Sequence, residues 1–495
     1  MNHPYGWWSL LPPVVAIGLA IVTRRAALSL LVGVFAGSLL TASGDLPRAI
    51  QDLCEVHLWP ALADPGKLRV YTFTLLMGAL ISVLSDSGAM RSFVALLVPW
   101  ARTRRGAQLT TWLMGLAIFF DDYANTLLLG GTLRPLCDRF KVSREKLAYL
   151  VDSTAAPVAG ISILSTWVAV ELDYLQEGIA AIAPNSGMAA FDLFVATIPY
   201  RFYVLGALLF LPTLAISGRD FGPMLAAERR ALSRPAVVER SPSREHETER
   251  NAHWLVAVLP ILVTLGVVIW LLLSTGQAEM RATTGQQSGW TLWQILGAAR
   301  SSLSLQYGAL AGLVLAGLML RLQRRMSADQ VMTAARNGAL VVLPAIAILW
   351  TATALSRMTT GKSVDGRTSV DVRGEETFAH RDHRLYTGVF LSNLLRGTDE
   401  HPDGTRAEST LRWLPTIVFV LASAMSFCTG TSYGTMGLLT PLTVSLTYSL
   451  LVARGEPVLP YDPLLLGTVG SVLAGAVFGD HCSPISDTTI LSAQS

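Results

Sequence analysis

One stretch of the sequence limits what the whole chain can fold into, the run Phe119–Thr132 with the sequence FFDDYANTLLLGGT. It places two adjacent carboxylates, Asp121 and Asp122, inside an apolar segment of membrane-crossing length. A charged side chain at the bilayer centre costs about 2.5–3.5 kcal/mol on insertion scales, so the pair requires a bound partner. A short polar loop is the alternative, but the apolar residues 113–120 and 127–129 flank the pair too closely for that. The stretch therefore predicts a cation or proton site at mid-membrane.

Composition points to the same class of protein, because 51% of the 495 residues are hydrophobic and only 15% are charged. Soluble proteins of this length are far less apolar, so we predict an all-α, polytopic membrane protein. The four cysteines lie far apart without a CxxC pair, which predicts neither a disulfide framework nor a structural zinc site. The first apolar run, residues 7–23, lacks a basic start and is interpreted as an uncleaved first span.

A polar linker divides the apolar runs into two membrane repeats. The first repeat covers residues 1–217, the linker covers 218–253, and the second repeat covers 254–495. We interpret the linker, which is rich in arginine and acidic residues, as a solvated cytoplasmic segment and nothing more. The apolar runs fall at residues 8–23, 26–43, 70–87, 107–133, 147–170, 194–217, 254–274, 303–320, 332–357, 411–450 and 463–492.

Basic residues near the ends of the runs predict which loops face the cytoplasm. The cluster at 102–105 and the basic residues of 134–146 lie on either side of the run 107–133, so both of its ends are predicted to be cytoplasmic. This run is therefore predicted to be a re-entrant hairpin and not a single crossing. The segment 171–192, which has acidic residues only, and the segment 276–300 are predicted to face outward.

The two halves are predicted to be inverted repeats, since the first starts outside and the second starts inside. A shift of 306 residues aligns Pro135 with Pro441, and a shift of 327 residues aligns Pro157 with Pro484. Inverted repeats with matched broken helices are typical of secondary transporters, whose site lies between the repeats. The predicted hairpins are 107–133 and 411–450, and the predicted broken helices are 147–170 and 463–492.

Polar interruptions of the apolar runs supply the candidate ligands. Besides the first stretch they are VDSTAAP at 151–157, FCTGTSYGT at 427–435 and GDHCSPISDTT at 479–489. Proline at 157 removes a backbone donor and frees helix carbonyls, and carboxylate, hydroxyl and carbonyl oxygens are the hard ligands that Na⁺ prefers.

Several residues keep two interpretations. His481 is either a proton carrier or a helix cap. Arg201 is predicted to snorkel to the outer surface, with an ion pair to a site aspartate as the alternative. Helix packing is an equal alternative to ion binding for four threonines, Thr429, Thr435, Thr488 and Thr489.

These segments resemble the NhaC family of Na⁺/H⁺ antiporters, in the wider ion transporter superfamily, and they occur in that family's order over nearly the whole chain. The resemblance implies exchange of Na⁺ for H⁺ by alternating access in the cytoplasmic (inner) cell membrane. It implies membrane lipid and small ions as partners, no cofactor, and Na⁺ bound at a subset of the site residues. The site residues that it implies are Asp121, Asp122, Asn125, Thr126, Asp152, Ser153, Thr154, Thr431, Ser432, Asp480, Ser483 and Asp487.

The chain departs from the family pattern at two places. Residues 359–384 form a charged insertion where relatives have a short turn, and we expect it to be external and unconnected to transport. The sequence ends at Ser495, immediately after the last site motif, so we expect that a further half-helix and one more span are missing.

Two other functions compete with Na⁺/H⁺ exchange. One is Na⁺- or H⁺-coupled exchange of a small organic anion or amino acid, for which Arg201 is the single candidate counter-charge. The other, an intramembrane aspartyl hydrolase, is disfavoured because Asp480 lacks a GxGD pattern. The absence of a GxxxxGK[ST] loop argues against a primary pump. We predict a non-enzymatic protein without nucleic-acid partners and leave a homo-oligomer open.

Overall fold

Every secondary-structure element in the described part of the chain is helical, which confirms the all-α prediction. The inverted-repeat relation between the halves stays a prediction. The computed structural model describes the chain except for residues 1–4, 24, 96–100, 164, 183–188, 234–251, 285–288, 360–382, 386, 388–389, 391–403, 453–460, 485 and 495.

The helices of the first half are α1 (Leu11–Thr23), α2 (Ala26–Thr41), α3 (Leu46–Asp52), α4 (Trp59–Ala63), α5 (Pro65–Asp86), α6 (Ala89–Ala95), α7 (Arg104–Ala117), α8 (Asp122–Arg139), α9 (Arg144–Ile161), α10 (Thr166–Ile182), α11 (Ala190–Thr197) and α12 (Phe202–Ser217). The helices that follow are α13 (Gly222–Ser233), α14 (Leu255–Thr284), α15 (Leu292–Ala298), α16 (Ser301–Leu322), α17 (Ala328–Val341), α18 (Leu343–Thr359), α19 (Gly404–Thr429), α20 (Ser432–Val452), α21 (Pro463–Cys482) and α22 (Asp487–Gln494). Short 3₁₀ turns cover Gly6–Leu10 and Ile198–Tyr200, and a π-helical segment covers Leu53–Leu58.

Seven helices of the described chain are long and apolar enough to cross a membrane, and up to nine if each bent pair counts as one span. The bent pairs are α9 with α10, at 49°, and Ala190–Tyr200 with α12, at 52°. The protein is therefore a multi-pass membrane protein. The seven helices are Gly6–Thr23, Pro65–Asp86, Leu255–Ala282, Ser301–Leu322, Ala328–Thr359, Leu411–Thr429 and Pro463–Cys482.

Four short breaks interrupt the helices at the polar segments of the sequence. They lie at 118–121 between α7 and α8, at 162–165 between α9 and α10, at 430–431 between α19 and α20, and at 483–486 between α21 and α22. Gly430 has a φ of 65°, a left-handed conformation that glycine adopts without steric cost. Each break places helix ends, whose terminal backbone groups lack partners within their own helix, inside the protein.

The two ends of the segment formed by α7 and α8 meet at one side chain, Glu228. Its carboxylate forms an ion pair with Arg104, where α7 begins, and accepts a 2.7 Å hydrogen bond from the backbone N–H of Ser143, which caps α9. A chain that returns to its starting level in this way has the geometry of a hairpin. The orientation of that hairpin in a bilayer stays a prediction.

The linker 218–253 is not merely a solvated segment, and that prediction was wrong for its first part. Residues 222–233 form helix α13, whose Glu228 is only 2% exposed. Asp220, just before this helix, pairs with the buried Lys146 of α9, and Arg230 pairs with Glu145 at 3.1 Å. The structure does not describe residues 234–251. Helix α13 is held in place because the Glu228 carboxylate is buried against Arg104 and the backbone N–H of Ser143. Composition alone does not reveal these partners.

The prediction of an outward loop at 171–192 was also wrong for its first half. Helix α10 continues to Ile182, and its residues Glu171 and Asp173 are 1% and 6% exposed. These acids lie inside the protein because each has a buried cationic partner, Arg201 for the first and Lys67 for the second. Insertion 359–384 lies, apart from Thr359 and residues 383–384, outside the described residues.

Helices α19 and α21 pack with their backbones in contact. A Cβ atom placed on Gly479 would lie 2.2 Å from the carbonyl oxygen of Ser423, and one on Gly475 would lie 2.6 Å from that of Phe419. Small residues allow such close approach between membrane helices. The Ser426 hydroxyl adds a 2.7 Å hydrogen bond to a carbonyl of α21.

Candidate functional site

The first break is fixed by Asp121, which caps helix α8. Its carboxylate accepts a 2.7 Å hydrogen bond from the backbone N–H of Ala124 and a 3.1 Å bond from the hydroxyl of Thr166. The backbone N–H of Thr166 donates in turn to the carbonyl of Phe120, at 3.0 Å. Thr166 begins α10, so this residue joins the first break to the break between α9 and α10.

Asn125 holds the end of α7 against the start of α8. Its side-chain amide donates to the carbonyls of Gly115 at 2.8 Å and Ile118 at 3.1 Å, two groups left free where α7 ends. The Asn125 Oδ1 atom has no hydrogen-bond partner among the described residues. The Thr126 hydroxyl donates a 2.9 Å hydrogen bond to the carbonyl of Asp122, within its own helix.

Asp122 differs from Asp121 in having one carboxylate oxygen that accepts no hydrogen bond from the described residues. It is 2% exposed, and its Oδ1 atom has no hydrogen-bond partner in the described part of the chain. Its surroundings include the carboxylates of Asp121 and Asp480 and the indole of Trp167. Trp167 packs on Tyr433 with ring centroids 5.0 Å apart, so α10 and α20 cover this side of the site.

A threonine of the last motif connects Asp152 to Asp480. The Thr489 hydroxyl lies 3.3 Å from Asp152 Oδ2 and 3.4 Å from the carbonyl oxygen of Asp480. Asp152 comes from α9 in the first half and Asp480 from α21 in the second. The two halves therefore share one polar site, with α22 packed against α8 and α9.

Hydroxyl groups from both second-half breaks surround Asp480. Ser432 and Ser486 lie against its carboxylate, and Ser432 also bonds a carbonyl of α21 at 3.2 Å. Ser483 donates to the carbonyl of Phe427 at 2.7 Å, which ties the last break to α19.

The structure brings most of the predicted site residues together, but not all of them act as free ligands. Thr154 donates to the carbonyl of Leu150 at 2.9 Å and lies where a Cβ on Gly115 would meet it at 2.2 Å, so it packs α9 on α7. Ser153 contacts Tyr149. The hydroxyl of Thr431 lies near the start of α20, and the side chain of Asp487 lies outside the described residues.

Three residues of this site were missed from the sequence, and each had a local signal. Thr166 and Ser486 lie at breaks, where a hydroxyl can cap a half-helix. Thr489 belongs to a motif already singled out, but packing was weighted equally with binding there. His481 pairs through Nδ1 with the Tyr203 hydroxyl at 2.9 Å, which does not decide between its two predicted roles.

The prediction that Arg201 snorkels to the surface was wrong. It is 1% exposed, its guanidinium pairs with Glu171 at 2.8 Å, and it donates to the carbonyl of Gly160 near the end of α9. Thr197 accepts a further bond at 3.2 Å, and the ring of Phe194 lies 4.8 Å from the guanidinium carbon. Arg201 thus stabilises the α9 break, and among the described side chains its ion pair is with Glu171 and not with a site aspartate.

The chemistry of the site follows from three buried carboxylates, those of Asp122, Asp152 and Asp480. Each has one oxygen without a hydrogen-bond partner among the described residues. Such a set can take up a proton or a cation with oxygen ligands. The described residues contain no cluster of three His, Cys, Asp or Glu side chains with the geometry of a tight metal site.

Buried carboxylates at helix breaks, within a bundle of seven or more apolar helices, are characteristic of membrane transporters. The chain belongs to the Na⁺/H⁺ antiporter family, whose model matches residues 164–361 and 405–495. This result confirms the predicted NhaC-type family and places the protein among transporters and not among enzymes.

The chain is also similar to several individual proteins. It is 31% identical over 492 residues to an uncharacterized protein of Haemophilus influenzae, a match that covers 98% of this chain and 84% of that protein. A malate-2H⁺/Na⁺-lactate antiporter of Bacillus subtilis is 39% identical over 74 residues, 15% of this chain and 14% of the relative. The solved YdaH transporter of Alcanivorax borkumensis aligns with a TM-score of 0.49 and 12% identity over 90% of this chain and 81% of that one.

Proposed function

We propose that the protein exchanges Na⁺ for H⁺ across the cytoplasmic membrane by alternating access. One observation carries the proposal: Asp122, Asp152 and Asp480 are buried together, and each keeps one unpartnered carboxylate oxygen. The carboxylates come from both halves of the chain, at the interface where secondary transporters bind their substrates. Carbonyl and hydroxyl oxygens at the breaks supply further ligands for a dehydrated cation.

Exchange follows if each carboxylate holds either a proton or Na⁺ but not both. The site then changes sides only when one of the two is bound, because an empty cluster of buried negative charges is costly to move through the low-dielectric interior. Na⁺ entering from one side displaces protons that leave toward the other. Apparent Na⁺ affinity is therefore expected to fall as the pH is lowered.

The test is Asp122→Asn, which removes the charge but keeps the shape and most of the hydrogen-bonding capacity. In proteoliposomes loaded with a pH-sensitive dye, a Na⁺ jump is expected to move protons with the native protein and not with the variant. Asp138→Asn is the matched control, since Asp138 lies on the same helix, its side chain is 42% exposed and it pairs with Arg144 at 3.7 Å. Gel filtration of both purified variants shows whether the fold survives.

The corresponding asparagine variants of Asp121, Asp152 and Asp480 complete the series. At least one of the four is expected to be monodisperse and inactive, with the pH dependence of Na⁺ affinity lost together with the affinity. If all four exchange Na⁺ for H⁺ at the native rate, the site lies elsewhere and the proposal fails.

A second candidate function is coupled exchange of a small organic anion, which the name of the Bacillus subtilis relative suggests. An anion site needs a cationic or other donor group, and Arg201 is committed to Glu171 and to the carbonyl of Gly160. This arrangement favours Na⁺/H⁺ exchange. The same vesicles decide between them: proton movement that appears only when malate or lactate is added supports the organic-anion exchanger.

A further inference from the structure

A second group of buried charges lies away from the site at the helix breaks. Lys67 of α5 contacts Asp173 and Glu177 of α10, and its Nζ atom lies 2.7 Å from one carboxylate oxygen of each. Lys67 and Asp173 are 7% and 6% exposed, and the Glu177 side chain is 14% exposed. Asp173 and Glu177 lie four residues apart, so both project from one face of α10.

This cluster carries one net negative charge, because a single ammonium faces two carboxylates. A buried charge that is not balanced is costly, and buried ionic groups are retained where partners complete them. Lys67 takes Oδ1 of Asp173, and the other oxygen, Oδ2, has no hydrogen-bond partner among the described residues. The cluster therefore has an excess negative charge and one carboxylate oxygen without a hydrogen-bond partner among the described residues.

A cavity of about 110 Å³ lies beside that carboxylate. Water occupies roughly 30 Å³ per molecule in the liquid, so the cavity has room for a small ion together with water. Besides Asp173, its polar lining consists of Gln176 from α10 and of Ser301 and Ser302, which begin α16. Amide and hydroxyl oxygens are neutral ligands for hard cations.

We propose that this cavity binds a partly hydrated monovalent cation beside the Asp173 carboxylate, as a second cation site of the protein. The net charge of the Lys67, Asp173 and Glu177 cluster matches one such ion. Ser301 and Ser302 directly follow the segment 276–300, which is predicted to face outward, so the cation would enter from the outer side. The proposal does not require that the protein exchange Na⁺ for H⁺.

Equilibrium binding of ²²Na⁺ to the purified full chain tests the second site. Asp173→Asn is expected to lower the amount of bound Na⁺ by one ion per chain. Ala190→Leu fills the same cavity while every charge stays in place, and it is expected to cause the same loss. Asp122→Asn in the break site is expected to leave this ion bound, so the two sites are counted separately.

Gln176 offers a third variant, because it is exposed and its replacement does not disturb the buried ion pairs. With Gln176→Leu we expect the Kd for this ion to rise about fivefold, the usual effect of losing one neutral hydrogen-bonding ligand. If Asp173→Asn or Ala190→Leu does not purify as a monodisperse protein, Gln176→Leu is used in its place.

Two results would overturn the proposal. One is that the variants bind Na⁺ with the stoichiometry and affinity of the native protein. Protons alone would then balance the charge of the Lys67, Asp173 and Glu177 cluster. The other is a loss of the ion in Asp173→Asn while the cavity variants Ala190→Leu and Gln176→Leu bind it as the native protein does, since the charge would then act at a distance. Failure of Na⁺-driven proton movement leaves this measurement unaffected.

Discussion

Replacing Glu228 by alanine is expected to loosen the start of α9 without touching the ion site. The side chain is buried, and it joins Arg104 to the backbone N–H of Ser143. Both partners lie at the end of the molecule where the hairpin of α7 and α8 begins and ends. Without the carboxylate, the backbone N–H of Ser143, the residue that caps α9, loses its acceptor and the two ends of the hairpin are no longer joined.

The expected cost follows from the two contacts. A hydrogen bond to a charged group contributes about 1.5–3 kcal/mol, and this applies to the bond from Ser143. The Arg104 side chain is 31% exposed, so solvent screens its ion pair and we add only about 0–1 kcal/mol. The total is about 1.5–4 kcal/mol. Glu228→Gln keeps an oxygen for Ser143 and is expected to cost about half as much.

Amide hydrogen exchange of the peptide that covers residues 143–150 measures this effect locally. Each 1.4 kcal/mol of local stability changes an equilibrium about tenfold, so exchange through local opening is expected to become about 12-fold to 700-fold faster. Arg230→Ala is the matched control on the same helix. Its ion pair with Glu145 is more than half exposed on both sides, and its loss is expected to change exchange little. Equal effects of the two alanine variants would refute the reasoning.

Three further predictions concern other parts of the chain. Cysteines placed at Arg102 and Arg144 in a cysteine-free background should both react with a membrane-impermeant reagent from the cytoplasmic side, and labelling from opposite faces would exclude the hairpin. Burial and neighbouring basic side chains lower the pKa of His57 to about 3. Below about pH 6.5 the unfolded chain therefore binds a proton at His57, whereas the folded chain leaves it neutral down to about pH 3. Stability is therefore expected to fall as the pH drops through that window, by about 2 kcal/mol at pH 5, and His57→Gln should remove this slope in melting scans, whereas an unchanged slope would contradict the assignment. Gly479→Ala should lower the melting temperature in detergent because its Cβ meets a backbone oxygen of α19, while Gly467→Ala, whose nearest neighbour lies at 3.6 Å, should not; equal effects would argue against backbone contact.

Much of the site could be predicted because its chemistry conflicts with its surroundings. Charged residues inside apolar runs, such as Asp121, Asp152 and Asp480, are visible without knowledge of the fold. Breaks in the helices could be predicted for the same reason, since Pro157 and Gly430 interrupt otherwise regular apolar segments. The structure brings these segments together, as the resemblance to transporters implied.

The wrong predictions came from treating charge as a marker of solvent. Glu171 and Asp173 were assigned to an outer loop, and the segment around Glu228 was assigned to solvent, but each of these carboxylates is buried beside a cation. Their partners lie far along the chain, so no local pattern reveals them. One signal was available, since Asp173 and Glu177 are spaced by four residues, as on one face of a helix.

The roles of hydroxyl side chains could not be predicted from their type. Thr154 and Thr489 occur in similar motifs, but the first bonds a carbonyl in its own helix and the second joins two aspartates. Which of these occurs depends on what the neighbouring helix presents, and that is a property of packing.

The glycine contacts between α19 and α21 have a mechanical consequence. With Gly475 and Gly479 against carbonyl oxygens, the two helices cannot slide by one residue or rotate against each other without side chains meeting the backbone. The two helices therefore form one rigid unit, in which the Asp480 end of α21 and the Phe427 end of α19 are held together. A rearrangement that exposes the site to the other side of the membrane therefore has two routes. Either α19 and α21 tilt together as this rigid unit, or the chain bends at the neighbouring breaks, at Gly430 and Ser483.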